Sequence, residues 1–333
     1  MPTAPSLRPI AVYGASGHTA RFVLAELRRR GIPAVAVGRR AATLPDGLPQ
    51  RAAAIDDPAA LDAAFAGCAA VINCAGPFLD TALPVAEAAI RTGAHYIDVT
   101  AEQASAMTLF ERLDAPARAA GVAVIPAAGF YGGLADLLAT SLLGAHGEAR
   151  EVTVAVALDR WWPTAGTRKT GERNTVPRLV VDGGRLVAMP LPAALSTWHF
   201  GDPHGEQAMI ELPFSETITI SRHLRVGSLR AHLTRSSLDE IRDAATPPPP
   251  AADALGRSAQ RFEMVVRARH GETVRTASAR GRDIYAVSAP LVVEAVARLA
   301  RPGQARAGAL ALGEAFDAVD FLRSLASQHL QLG

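Results

Sequence analysis

Lysine and cysteine are the residues this sequence almost does without. Lys169 is the only lysine among 34 lysine and arginine residues, so a mechanism that needs lysine at any other position is excluded. Cys68 and Cys74 are the only cysteines. Two are too few for a disulfide framework, and neither stands at metal-type spacing to a histidine pair, so no metal is expected. No apolar run reaches the ~18–20 residues that a membrane span requires. Met1 to Arg8 lacks the apolar stretch of a secretion signal, and a reducing cytoplasm is the expected location. One-signed charge is missing as well. The formal net charge is +2, which offers nucleic acid or an anionic membrane little to hold.

What is present is a globular composition, 49% hydrophobic and 20% charged over 333 residues. That is enough chain for one large domain or two ordinary ones, each with its own core. Residues 1–140 alternate short apolar runs with longer amphipathic ones, the pattern of βαβ units on a parallel sheet. Strands are predicted at Pro9–Tyr13, Ala34–Val37, Ala52–Ile55, Ala70–Asn73, His95–Val99 and Val122–Pro126. Helices are predicted at Thr19–Arg30, Pro58–Ala66, Leu79–Thr92 and Ser105–Ala120. The expected fold is α/β, a doubly wound Rossmann sheet.

The rhythm changes after about residue 150. β-branched, alternating runs predict largely antiparallel strands at Val152–Leu158, Thr217–Ile220, Ser228–Thr234, Phe262–Arg269 and Thr273–Arg280. Long polar loops are expected at Trp161–Asn174 and Phe200–Gln207, and a stiff connection at Pro247–Pro250. The chain should end in helices at Ala289–Ala300 and Ala315–Ser327. Residues 141–283 thus read as a mixed α/β substrate or dimerisation domain, with residues 284–333 packing back on the first.

Gly14-Ala15-Ser16-Gly17-His18-Thr19-Ala20 follows the first strand and opens the first helix, where a dinucleotide loop belongs. Gly14 permits the tight turn, Gly17 lets the backbone approach a pyrophosphate, and Ala20 keeps helix and sheet close. Ser16, His18 and Thr19 complete the loop, whose helix start is positive. An Asp or Glu about 20 residues on would bind the ribose hydroxyl of NAD. This chain has Arg39 and Arg40 instead. A guanidinium pairs with a 2′-phosphate through parallel hydrogen bonds, so the expected cofactor is NADP(H).

Tyr13 to Thr19 resembles the opening of the saccharopine dehydrogenase (reductase-like) superfamily. So do Val71-Ile72-Asn73-Cys74-Ala75-Gly76-Pro77-Phe78, His95-Tyr96-Ile97-Asp98-Val99-Thr100-Ala101-Glu102, and Gly129-Phe130 with Asp136-Leu137. The resemblance covers residues 8–140. Gly281-Arg282-Asp283-Ile284-Tyr285 resembles a segment of the short bacterial NADP-binding members. It implies an oxidoreductase with a Rossmann domain joined to a mixed substrate domain. Members include imine reductases that form saccharopine and enoyl reductases acting on lipid or polyketide chains.

In a doubly wound sheet the ligand sits beyond the carboxyl ends of the strands. The nicotinamide side is expected at Ala75, Gly76 and Pro77, small and rigid. Asn73 either bonds the ribose or caps the next helix. Tyr131 leads the candidates for the proton donor, followed by Tyr96 and Glu102. Each has an ordinary alternative: packing for the tyrosines, a helix-start acid for Glu102. A Tyr-x-x-x-Lys pair is absent. Trp161 with Arg168, Lys169 and Arg173 forms a polar, aromatic segment suited to gripping a substrate anion. The expected activity is reduction of a C=N, C=C or C=O bond in a small or carrier-linked metabolite. A non-catalytic NADPH-binding sensor or scaffold is the alternative, and a homodimer is left open.

Overall fold

A computed structural model describes residues 8–301, 306–326 and 328–333. Met1–Leu7 of the segment read above as lacking an apolar signal stretch, and Ser327 at the end of the expected last helix, lie outside the described residues. The first part of the chain forms β1 (Ile10–Tyr13), α1 (His18–Arg29), β2 (Ala34–Gly38), β3 (Gln50–Ala52), α2 (Pro58–Phe65), β4 (Ala70–Asn73), α3 (Phe78–Arg91), β5 (His95–Asp98), α4 (Gln103–Ala120), β6 (Ala123–Ile125) and α5 (Ala135–Leu143). The six strands are parallel in the order β3-β2-β1-β4-β5-β6. Every residue of β1, β2 and β4 is buried, as expected where helices cover both faces of a parallel sheet. Strand order reverses between β1 and β4, and that switch opens a crevice at their carboxyl ends.

β3 lies earlier than the expected Ala52–Ile55. It is an edge strand paired with β2, Ala36 opposite Gln50 and Gly38 opposite Ala52, so backbone pairing sets its place rather than apolar content.

The remainder forms β7 (Glu148–Leu158), α6 (Ala165–Arg173), β8 (Leu179–Asp182), β9 (Arg185–Ala188), β10 (Leu195–His199), β11 (Glu206–Glu211), α7 (Glu216–His223), β12 (Arg225–Thr234), α8 (Arg235–Arg242), β13 (Arg261–His270), β14 (Thr273–Arg282), α9 (Ser288–Leu299), β15 (Gly308–Ala309), α10 (Leu312–Ala315), α11 (Ala318–Ala326) and β16 (Gln331–Leu332). β15 joins the first sheet, parallel to β6. The second sheet runs β10-β11-β12-β7-β13-β14-β16, with β8 on β12 and β9 on β8. It is mixed: β7 and β12 are parallel, the other neighbours antiparallel.

Three expectations need correction. Thr217–Ile220 is helical, within α7. All four residues are buried, the Thr219 hydroxyl donates to the Gly132 carbonyl at 3.0 Å, and Ser215 donates to Thr100 at 2.9 Å. Tertiary packing has overridden β propensity. The expected loop Trp161–Asn174 contains α6, whose first turn Thr164 caps by accepting from the Thr167 N–H at 3.0 Å. The last expected helix is two, α10 and α11, and Asp317 between them accepts from the Asp320 N–H at 2.8 Å as a cap.

The two sheets share one core. α9 packs on α1, and α5 lies against β13 and β14. Arg30, which caps the end of α1, pairs with Glu294 of α9, and Glu26 of α1 also holds Arg29 and Arg30. A buried junction joins α5, α7 and α10. Asp136 Oδ1 lies 2.7 Å from His223 Nε2, and its Oδ2 accepts from the Gly313 N–H at 2.6 Å. His223 Nδ1 faces the Ala145 carbonyl at 2.9 Å. Burial opposes a charge on the ring, but the Asp136 carboxylate and both hydrogen bonds outweigh it and raise His223 to about 9.

Candidate active site

The loop from β1 into α1 is a cradle that a side chain would fill. Gly14 has φ +76°, and a Cβ there would stand 2.8 Å from Ala75 Cβ. A Cβ on Gly17 would stand 3.0 Å from the Gly14 carbonyl oxygen. The Gly17 N–H closes the turn on Gly14 at 2.9 Å, and the Gly14 N–H is held by Val37 at 2.9 Å. Gly17 caps α1 without a side chain, so no side chain competes for the first-turn N–H groups. A helix start left this way suits phosphate, and the cradle fits a dinucleotide.

The loop opens into a cleft of about 830 Å³. Ser16, His18 and Thr19 line it, with Arg39 and Arg40, both exposed, at the same end. Ala75, Gly76 and Pro77 form its floor. Facing them is an aromatic wall drawn from four segments. Tyr131 stacks on Phe214 with ring centroids 4.1 Å apart, and Trp161 lies 6.0 Å from Tyr131. Trp161 Nε1 donates to the Tyr285 hydroxyl at 3.0 Å, and that hydroxyl also meets Thr167 Oγ1 at 2.9 Å. His18 touches Tyr285 edge-on at 5.3 Å, which brings the loop to the wall. A more open groove of about 940 Å³, at the end of the second sheet near Gly183 and His270, contains none of these residues.

Residues 10–125 match the family described as the saccharopine dehydrogenase NADP binding domain. Over the whole chain, the fold is similar to the saccharopine dehydrogenase (L-Glu forming) of Saccharomyces cerevisiae. Identity is 14% and the TM-score 0.66, with 98% of this chain and 99% of that one covered. It is also similar to C. glutamicum DAP dehydrogenase in complex with DAP, at 15% identity and TM-score 0.51, covering 97% and 99%. At these identities the likeness shows the fold. No curated protein sequence matches. NADP(H), the cofactor expected from the loop and Arg39, is the one the domain's family is named for. The chain has the fold of a saccharopine dehydrogenase-like, NADP-binding oxidoreductase, and among the described residues no helix is long and apolar enough to cross a membrane.

Asn73 and Tyr96 are not where the sequence reading put them. Neither lines the cleft, and both are fully buried. Asn73 accepts from the Ala75 N–H at 2.9 Å and donates to Tyr96 at 3.1 Å, which in turn donates to Asp98 at 2.9 Å. Asp98 also accepts from Thr100 and Ala127. Burial pushes its carboxyl up to about 6 against these three bonds. The network shapes the floor from beneath, and Tyr96 has no access to a substrate. Glu102 does line the cleft but is committed: it accepts from the Phe78 N–H at 2.7 Å and the Leu79 N–H at 3.1 Å, capping α3. Burial raises its value. Cys74, also on the wall, is pushed by burial to about 12 and stays a thiol.

Tyr131 is in place. It is 8% exposed, faces the cleft, and its hydroxyl has no hydrogen-bond partner among the described residues. Burial holds its value well above 10, so it keeps its proton at neutral pH. Trp161 and Lys169 line the cleft as expected. Arg168 and Arg173 do not. Arg168 donates to the Asp243 and Thr246 carbonyls, and Arg173 pairs with Asp80 at 2.8 Å. α6 has no buried residue, so its alternate faces diverge and these two arginines fasten it instead of reaching inward.

Arg178, Phe214 and Tyr285 are site residues that sequence reasoning missed. Only Tyr285 carried a signal, in Gly281 to Tyr285. Asp283 there has φ 57° and is fully buried; its Oδ1 accepts from the Tyr285 and Ala286 N–H groups and its Oδ2 from Ser258. An aspartate in the left-handed region is uncommon. Its three bonds aim Tyr285 at Trp161.

Proposed function

We propose that this protein is an NADPH-dependent oxidoreductase that reduces a C=N, C=C or C=O bond of a small or carrier-linked metabolite. One observation carries the reading: a single cleft joins the Gly14–Thr19 cradle and Arg39 to a wall holding an unpartnered, protonated Tyr131. The N–H groups at the start of α1 hold a pyrophosphate, and Arg39 and Arg40 hold the 2′-phosphate. NADPH, when bound, supplies the hydride. Ala75, Gly76 and Pro77 offer it a flat, small-residue floor. The Trp161, Phe214 and Tyr285 rings keep water from the reacting face. Tyr131 directs its O–H toward the substrate atom that does not take the hydride and polarises it by hydrogen bonding. Tyr131, kept protonated by burial, gives its proton to that atom as the hydride arrives and regains one from solvent.

The test is stereospecific transfer from deuterated NADPH into a metabolite pool, the labelled product being identified by mass spectrometry. Deuterium in one product, lost in Tyr131→Phe with NADPH affinity kept, is the expected result. Tight NADPH binding with transfer to nothing overturns the reading in favour of a non-catalytic sensor.

A further inference from the structure

The charges on the cleft wall are unbalanced in a specific way. Asp80 and Glu102 are its acids, and both are spoken for: Asp80 by Arg173 at 2.8 Å, Glu102 by the Phe78 and Leu79 N–H groups. Lys169 and Arg178 are its cations at the substrate end. Arg178 is half-buried and fixed in place: it donates through Nη1 to the Pro213 carbonyl at 2.5 Å, and its guanidinium carbon lies 4.7 Å from the Phe214 ring centroid. One of its five N–H donors is thereby used. Among the described residues no carboxylate comes within 4.0 Å of it. Glu216 is the buried acid that acts on it from further off, and one Glu216 oxygen is taken by the Phe214 N–H at 2.8 Å. A guanidinium held in a largely apolar setting with no carboxylate in contact is costly unless a ligand brings one.

We propose that Arg178 is the substrate-recognition residue of this cleft, and that the substrate is a flat, apolar carboxylate without an ammonium group. The carboxylate sits on the free edge of Arg178 in the paired geometry that guanidinium favours. The unsaturated part lies against Tyr131 and Trp161, where offset aromatic contact adds to the area buried. An ammonium group, as on an amino acid, finds two committed acids and two cations and is left unpaired. The inference rests on the proposed function for its place in a reaction, though the recognition is a matter of binding alone.

The test uses the full-length protein loaded with NADP⁺ and three probes of one skeleton: trans-cinnamate, cinnamamide and phenylalanine, with affinity read by calorimetry. Cinnamate is expected to bind at least tenfold more tightly than either of the others. Arg178→Gln should remove that preference and Arg178→Lys restore part of it. The wild-type comparison needs no variant, so a poorly folding Arg178→Gln does not blur the result. Equal affinity for cinnamate and cinnamamide, phenylalanine binding as well as cinnamate, or no cinnamate binding at millimolar concentration overturns the proposal. The two readings fail separately. Absence of hydride transfer to anything leaves the cinnamate preference standing, whereas transfer to a neutral substrate at an undiminished rate in Arg178→Gln removes Arg178 alone.

Discussion

From Gly14 to Thr19 the cleft wall is made of backbone, whereas from Trp161 to Tyr285 it is made of side chains. The first wall is local. Its shape follows from a positive φ at Gly14, the close approach of Ala75, and N–H groups at a helix start. The second is assembled from distant segments, with Trp161 and Tyr285 bonded across 124 residues and Arg178 and Pro213 across 35. A backbone wall can bind only what every dinucleotide shares, while a side-chain wall can change ligand with one substitution. The division places cofactor binding on the part of the chain least free to vary and substrate choice on the part most free.

The most damaging way to test that division is to cut the buried junction of α5, α7 and α10 on which the core shared by both walls rests. Asp136 and His223 form a buried ion pair, their side chains 0% and 2% exposed. Removing one partner of such a pair costs about 3–5 kcal/mol. Asp136→Ala should lower the melting temperature more than the other substitutions weighed here, with NADPH binding and Trp161 fluorescence lost together. Separate transitions would show two independent units. The pair also sets a pH dependence. Folding raises His223 from 6.5 to about 9, so its contribution is complete below about pH 6.5 and is lost as pH rises through 9. Thermal melts from pH 6 to pH 10 should show that decline, flattened in His223→Gln.

A smaller effect is expected at Arg39, one of the two arginines at the cofactor end of the cleft. Arg39→Ala removes charge-assisted hydrogen bonds worth about 1.5–3 kcal/mol, and NADPH affinity should fall about 10- to 100-fold. NADH affinity should not change, since it has no 2′-phosphate for Arg39 to hold. Fluorescence titration with both cofactors reads the difference directly. Equal losses for the two would make Arg39 a structural part of the loop and leave Arg40 to choose the cofactor.

The same division explains what was legible in the sequence. Gly14, Gly17 and Arg39 could be placed because a βαβ unit fixes their surroundings within a few tens of residues. The helices α1 to α4 came from apolar periodicity, and β3 alone shifted, because an edge strand takes its register from its neighbour. The side-chain wall had no such local rule. Thr217–Ile220 reads as strand and folds as helix because all four residues pack into the interior, where the Thr219 hydroxyl donates to the Gly132 carbonyl. Arg168, Arg173 and Arg178 look alike in sequence. The turn after α6 sends Arg178 inward under Phe214, while the other two stay on the outer face of a helix with no buried residue. Asn73 and Tyr96 were sought in the cleft because strand ends point there, yet their side chains face the sheet's interior.

The smallest effect is the one that separates those arginines. Arg173 and Asp80 are 61% and 43% exposed, and an exposed pair of this kind is worth about 0–1 kcal/mol. Arg173→Ala should therefore leave the melting temperature nearly unchanged and the KM for substrate within about fivefold, a margin that follows from the same small energy. Freed Asp80 would then be an uncommitted acid at the cleft, so the variant should also gain some tolerance for a ligand with an ammonium group. A tenfold rise in KM in Arg173→Ala, with NADPH affinity intact, would bring the outer face of α6 back into the site. It would also take from Arg178 its claim to be the residue that chooses the substrate.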